Sequence, residues 1–140
     1  MKDFEEYIEE GVARKITPDM ERSKSLLEES RRKYDSLLTN IEKLGIDDDN
    51  ANDYVEYCYN IILFLIRSRM LKHGYKTSGE GAHEAEVSFS SKLGSSESEI
   101  RFLDQLRYFR NGILYYGKRF DKEYALMVIK FTKKIFKRLI

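Results

Sequence analysis

The residues best placed to do chemistry lie close together in one stretch, Leu106 to Gly117: Arg107, Arg110, Asn111, Tyr115 and Tyr116. Placed at about 100° per residue from Ile100, the residues Ile100, Phe102, Leu103, Leu106, Phe109, Ile113, Leu114 and Tyr116 fill one broad arc of a helix. Arg110 falls inside that arc and Arg107 near its edge. A guanidinium keeps its charge and is seldom buried without partners. Arg110 therefore meets a carboxylate, extends to solvent, or lines a cleft where a substrate or another chain arrives. Its planar fork suits phosphate or carboxylate. A structural alternative stays open, in which Arg107 and Arg110 pair with acids and Tyr115, Tyr116 and Phe120 close the end of a helix bundle.

Other chemistries find less support. The two histidines, His73 and His83, are ten residues apart with glycines between them, and Cys58 stands alone, so no metal site is expected. Asp47-Asp48-Asp49 lacks the alternating oxygen ligands, central Gly and terminal Glu of a calcium loop, and reads as acids favouring a helix start. Gly74 to Gly81 carries no phosphate-loop pattern, and no serine of the Ser88–Ser98 cluster sits on a glycine elbow. No cofactor is implied. His83 is a candidate base, but nothing in the sequence places it near Arg110.

The Arg110-Asn111 pair, with Tyr115 after three intervening residues near a helix end, resembles the signature of the HEPN superfamily of small helical domains. That signature is an Arg, a polar neighbour, and a His four to six residues on. Arg110 and Asn111 match, and Tyr115 takes the position of the His, with Tyr116 beside it. The resemblance implies a homodimer whose Arg motifs share a cleft, where Glu99 or Asp104 faces the cations. It also implies binding of RNA or nucleotide, or partnership with a nucleotidyltransferase in a toxin–antitoxin-like or defence system. The activity it implies is metal-independent RNA cleavage, with the His moving protons and the Arg holding phosphate. A phenol is mostly protonated at neutral pH, so Tyr115 suits proton transfer poorly. It still donates a hydrogen bond or stacks on a base. The expected module has nuclease activity reduced or lost, with Arg110 and Tyr115 as the catalytic candidates and Arg107, Asn111 and Tyr116 as binding residues. An active ribonuclease and a purely structural interaction protein are the alternatives.

The elements that must carry these residues are all helical. Helices are expected over 2–15, 18–44, 51–73, 82–92, 97–115 and 122–139, with no strand. Thr17-Pro18-Asp19 offers a capping hydroxyl, Pro at the first helical position and a first-turn acid. Ser96 and Glu99 have capping-box spacing, and Asp121 precedes the last helix. The 51–73 segment is apolar around most of its circumference, which makes it the buried centre and Cys58 a packed thiol. Together these give an all-α domain over residues 1–140: an up-and-down bundle of four long helices with two short ones.

Composition sets the class. Of the 140 residues 41% are hydrophobic and 35% charged, as in soluble helical proteins. The longest apolar run, Ile61 to Ile66, is too short to cross a bilayer, so no membrane partner is expected. One cysteine suits a reducing cytoplasm. Charge is uneven: residues 1–60 hold 9 Lys and Arg against 16 Asp and Glu, whereas residues 61–140 hold 16 against 8. Such asymmetry marks a polyanion partner or two halves that neutralise each other.

Overall fold

A computed structural model describes all residues, 1–140. Four long helices form the body: α2 (Met20–Leu44), α3 (Ala51–His73), α5 (Glu97–Tyr116) and α6 (Lys122–Leu139). Two short helices, α1 (Phe4–Glu9) and α4 (Ala82–Phe89), a 3-10 turn over Ser90–Leu93 that takes up the end of the helix expected over 82–92, and a two-stranded ribbon of β1 (Ala13–Lys15) and β2 (Tyr75–Thr77) complete it. The all-α bundle expected from periodicity is present, and the bounds of the four long helices fall within two residues of expectation.

Helix α3 is the centre. Val55, Cys58, Ile61, Ile62 and Leu65 are fully buried, and α2, α4, α5 and α6 all pack on it. Burial pushes the Cys58 thiol up to about 12, which leaves it protonated and unreactive. The buried residues of α2 are Ser23, Ser30 and Leu37, spaced by seven. Two serines on that seam allow close approach: Ser23 Oγ donates to the Ser68 carbonyl at 2.7 Å, and Ser68 Oγ returns a bond to the Ser23 carbonyl at 2.7 Å. Ser30 Oγ donates to the Ile61 carbonyl further along the seam. These pairings run α2 antiparallel to α3. Asn52 beside Lys118 and Phe120 at one end, and Arg69 on the Leu139 carbonyl at the other, run α6 parallel to α3. Phe102 against Phe131 and Phe109 against Tyr124 run α5 antiparallel to α6.

The N-terminal segment corrects the expectation of one helix over 2–15. Helix α1 stops at Glu9, Gly11 takes a positive φ of 76°, and Ala13–Lys15 pairs antiparallel with Tyr75–Thr77. A glycine at that angle ends a helix without side-chain strain, and the backbone groups beyond it then find partners in β2. The start of α2 shifts as well. Asp19, not Thr17, is the cap, and its carboxylate accepts from the Arg22 N–H at 3.0 Å. The predicted capping box is present on α5. Ser96 Oγ accepts from the Glu99 N–H at 3.2 Å, and Glu99 Oε1 accepts from the Ser96 N–H at 2.9 Å.

Glu99 also ties α5 to α6. Arg138 donates to both its oxygens at 3.0 Å, and Lys134 lies 3.2 Å away. The Arg138 bonds first, then the Ser96 N–H and Lys134, hold its carboxyl down at about 2 against the opposing effect of burial. Protonation of Glu99 therefore favours the unfolded chain, whose carboxyl titrates near its ordinary value of 4.5. Its contribution is complete above that value and lost as pH falls toward about 2. Glu99→Gln is expected to lower stability at pH 7 by about 2 kcal/mol and to flatten the pH dependence below about 4.5. Denaturant melts at pH 7 and pH 3 check both effects.

Candidate nucleic-acid interface

The stretch from Leu106 to Gly117 is the second half of α5, and its far end is clamped from two sides. Asn52 Nδ2 donates to the Lys118 carbonyl at 2.7 Å, and its Oδ1 accepts from the Phe120 N–H at 2.8 Å. Arg119 donates to the carbonyls of Asp48 and Asp49 at 3.1 and 3.2 Å. Of the acids of 47–49, Asp48 serves a helix start, that of α6 rather than α3, which has no side-chain cap. Asp48 Oδ1 accepts from the Lys122 N–H at 2.8 Å, whereas Asp47 and Asn50 bond to each other's backbone N–H. This loop fixes the α5–α6 turn, and so the direction in which the end of α5 points.

Two arginines one turn apart have different fates. Arg107 is mostly buried and lies in ion pairs, 3.0 Å from Glu84 of α4 and 2.9 Å from Asp104. It fastens α5 to α4. Arg110 has no carboxylate partner and makes no hydrogen bond. Its guanidinium carbon lies 5.4 Å from the centroid of the Tyr59 ring, and its Nε is buried without a partner. A cation over an aromatic face is attracted by the ring quadrupole, but that contact leaves the guanidinium donors unspent. Buried donors left without acceptors are uncommon in folded proteins.

Tyr59 itself is almost completely buried, and its hydroxyl has no hydrogen-bond partner. Burial pushes the phenol up to about 12, and nearby Glu86 adds to this, while Arg110, Arg107 and Arg67 act in the opposite direction. Tyr59 and Arg110, each with a buried polar atom that has no partner, thus meet where α3 and α5 pack. Tyr59 was not legible as part of a site, because it lies on a helix that is apolar on nearly all sides and nothing in the sequence orients its ring toward α5.

Beyond Arg110 the outer face of α5 is aromatic and uncovered. Tyr108, Leu114, Tyr115 and Tyr116 are 66%, 51%, 75% and 87% exposed. Leu114 and Tyr116 therefore leave the core arc expected for them, because no element of the chain crosses this end of α5; Leu103 and Leu106 are its only buried residues. Tyr115 and Tyr116 do not close the bundle end; they stand in solvent. A depression of about 430 Å³ on this face is lined by Tyr108, Asn111, Gly112, Tyr115, Tyr116 and Lys118, over Phe109. Lys118 Nζ sits 5.4 Å from the Phe109 ring centroid and 5.6 Å from that of Phe120. The structure thus brings Asn111, Tyr115 and Tyr116 together and adds Tyr108 and Lys118. Arg110 lies beside this depression without lining it, and Arg107 lies apart from it in its ion pairs. Glu99 and Asp104, the acids expected to face a shared cleft, are engaged within the chain by Arg138 and Arg107.

No group of three or more His, Cys, Asp or Glu side chains is arranged to hold a metal ion. No helix is long and apolar enough to cross a membrane. Comparison of the chain with protein-family models, curated proteins and solved structures found no match.

Proposed function

We propose that this protein is a HEPN-like helical module that binds single-stranded RNA along the C-terminal half of α5, in the cytoplasm, with nuclease activity reduced or lost. One observation carries the reading: Arg110 is a half-buried guanidinium with no carboxylate partner, set beside an exposed run of tyrosines. Proteins that hold single strands combine cations that follow the phosphates with aromatic rings on which bases stack. Arg110 and Lys118 supply the cations here, and Tyr108, Tyr115 and Tyr116 the rings. Asn111, one turn before Tyr115, supplies an amide for a base edge or ribose. Tyr115 in place of the motif His leaves the site without a group that exchanges protons readily near neutral pH, which supports binding over cleavage.

Stacking has its own signature. With no Trp in the chain, the ten tyrosines dominate its intrinsic emission. Titration with a short oligoribonucleotide is expected to quench that emission saturably. Tyr115→Ala and Tyr116→Ala are each expected to weaken binding by about 1–3 kcal/mol, the range found for base–aromatic stacking. Unchanged affinity in both variants would place the strand elsewhere.

A second reading is favoured by the apolar part of the same face, Leu114 and Tyr116. Here a second copy of the chain, or a nucleotidyltransferase partner in a toxin–antitoxin-like system, covers the end of α5. A homodimer through 97–117 gives twice the chain mass in light scattering at micromolar concentration, and Tyr116→Asp shifts it toward the monomer.

A further inference from the structure

Where α2, α3, β2 and α4 meet lies a cavity of about 300 Å³, lined by no residue of α5, that the RNA reading does not use. Four elements each contribute a basic side chain to its wall: Arg22 from α2, Arg67 from α3, Lys76 from β2 and His83 from α4. The only acid in the wall is Glu86, whose side chain is 97% buried and fully engaged. Its Oε2 accepts from Arg67 Nε at 2.5 Å, and its Oε1 lies 3.3 Å from Arg67 Nη2, 3.2 Å from His83 Nδ1 and 3.4 Å from Thr77 Oγ1. A buried carboxylate is costly unless paired, and this one is paired with the two side chains it holds at the cavity edge. Arg22 and Lys76 have no such partner. Neither forms an ion pair, and the only hydrogen bond at Arg22 outside its helix is made by its backbone N–H. His83 keeps Nδ1 toward Glu86 and leaves Nε2 without a protein partner.

We propose that this cavity is a binding site for a small phosphate monoester carried on a ring-sized apolar body. Three permanent cations against one spent carboxylate match the two charges of a phosphate monoester. Arg22 and Lys76 are exposed at the mouth and free to take its oxygens, while Arg67 and His83 are held in place by Glu86. The remaining wall is apolar, with Leu26, Met70 and Tyr75 available to the organic body. A cavity near 300 Å³ lies at the lower end of the range of small-molecule sites. Glu86 acts as a positioning residue, and Arg22 and Lys76 as direct phosphate contacts.

The site is separate from Arg110, so the two readings fail independently. The probes are adenosine 5′-monophosphate, adenosine and inorganic phosphate, followed by amide chemical shifts of the full chain. The nucleotide is expected to bind once, with shifts centred on Tyr75–Thr77 and Ala82–Glu86, and the nucleoside and inorganic phosphate each about tenfold more weakly or worse. Arg22→Gln and Lys76→Gln, both on the surface and compatible with the fold, are each expected to weaken the nucleotide about fivefold to tenfold. Arg110→Ala is expected to leave it unchanged. Shifts confined to the basic face of α6, equal binding of phosphate alone, no saturation at millimolar nucleotide, or indifference to both Arg22→Gln and Lys76→Gln would overturn the proposal.

Discussion

Gly74→Ala is expected to destabilise the protein by about 3 kcal/mol, lowering Tm by roughly 10 °C. Gly74 ends α3 at φ 82°, ψ 43°, the left-handed region. A side chain there carries an intrinsic penalty of about 1–2 kcal/mol. The larger part is steric. A Cβ on Gly74 would stand 2.7 Å from the Ile16 carbonyl oxygen, a backbone atom that cannot swing aside. The same two residues are joined by the Ile16 N–H donating to the Gly74 carbonyl at 2.8 Å, so moving one strand off the other breaks the junction of β1 with the end of α3. Gly79 is the control. It also has a positive φ, 78°, but nothing lies within 4 Å of a Cβ built there, so Gly79→Ala is expected to cost only about 1 kcal/mol. Urea melts of the two variants side by side check the difference. Equal losses would mean that close packing on Ile16 contributes nothing.

Arg67→Ala is expected to have an effect of similar size for an electrostatic reason. Removing the guanidinium leaves the buried Glu86 carboxylate with only His83 and Thr77 as partners. Breaking a buried pair from one side costs about 3–5 kcal/mol, and the partial exposure of Arg67 places this case near the lower end, at about 3 kcal/mol. Arg67→Ala combined with Glu86→Gln removes the stranded charge and is expected to recover more than half of the loss. A double variant no more stable than the single one would show that the loss comes from packing of the arginine stem.

The helices were readable because periodicity and caps agree along each of them. The run of apolar residues from Ala51, the glycine after His73, the Ser96–Glu99 spacing and Asp121 each mark a boundary found in the fold. The β1–β2 ribbon was not readable. Three residues are too few to show alternation, and Ala13–Lys15 finds its partner some sixty positions along the chain, where only the closed bundle brings Tyr75–Thr77 to it. The exception at Arg110 was readable as a charge on an apolar arc. Its environment was not, since Tyr59 reaches it from α3. The same arc overstated burial at Leu114 and Tyr116, because a wheel shows which side faces inward but not where the neighbouring elements stop. Charge asymmetry was explained only in part. Lys92 on Glu5 and Arg119 on the 48–49 loop join the two halves, yet Lys130, Lys133 and Lys137 form no ion pair on the outer face of α6.

The central claim is that Arg110 is held for a phosphate and not for the fold. The direct measurement is fluorescence anisotropy of a labelled single-stranded oligoribonucleotide against wild type, Arg110→Ala and Lys133→Ala, with Tm and solution mass recorded for each. Arg110 works where solvent is partly excluded, and Lys133 stands on an exposed basic face where salt and neighbouring lysines mask it. Arg110→Ala is expected to weaken binding about tenfold or more, and Lys133→Ala about twofold or less, with Tm and mass unchanged in both. Full binding by Arg110→Ala, or a variant that melts early or changes its assembly, would contradict the claim and make Arg110 a structural residue.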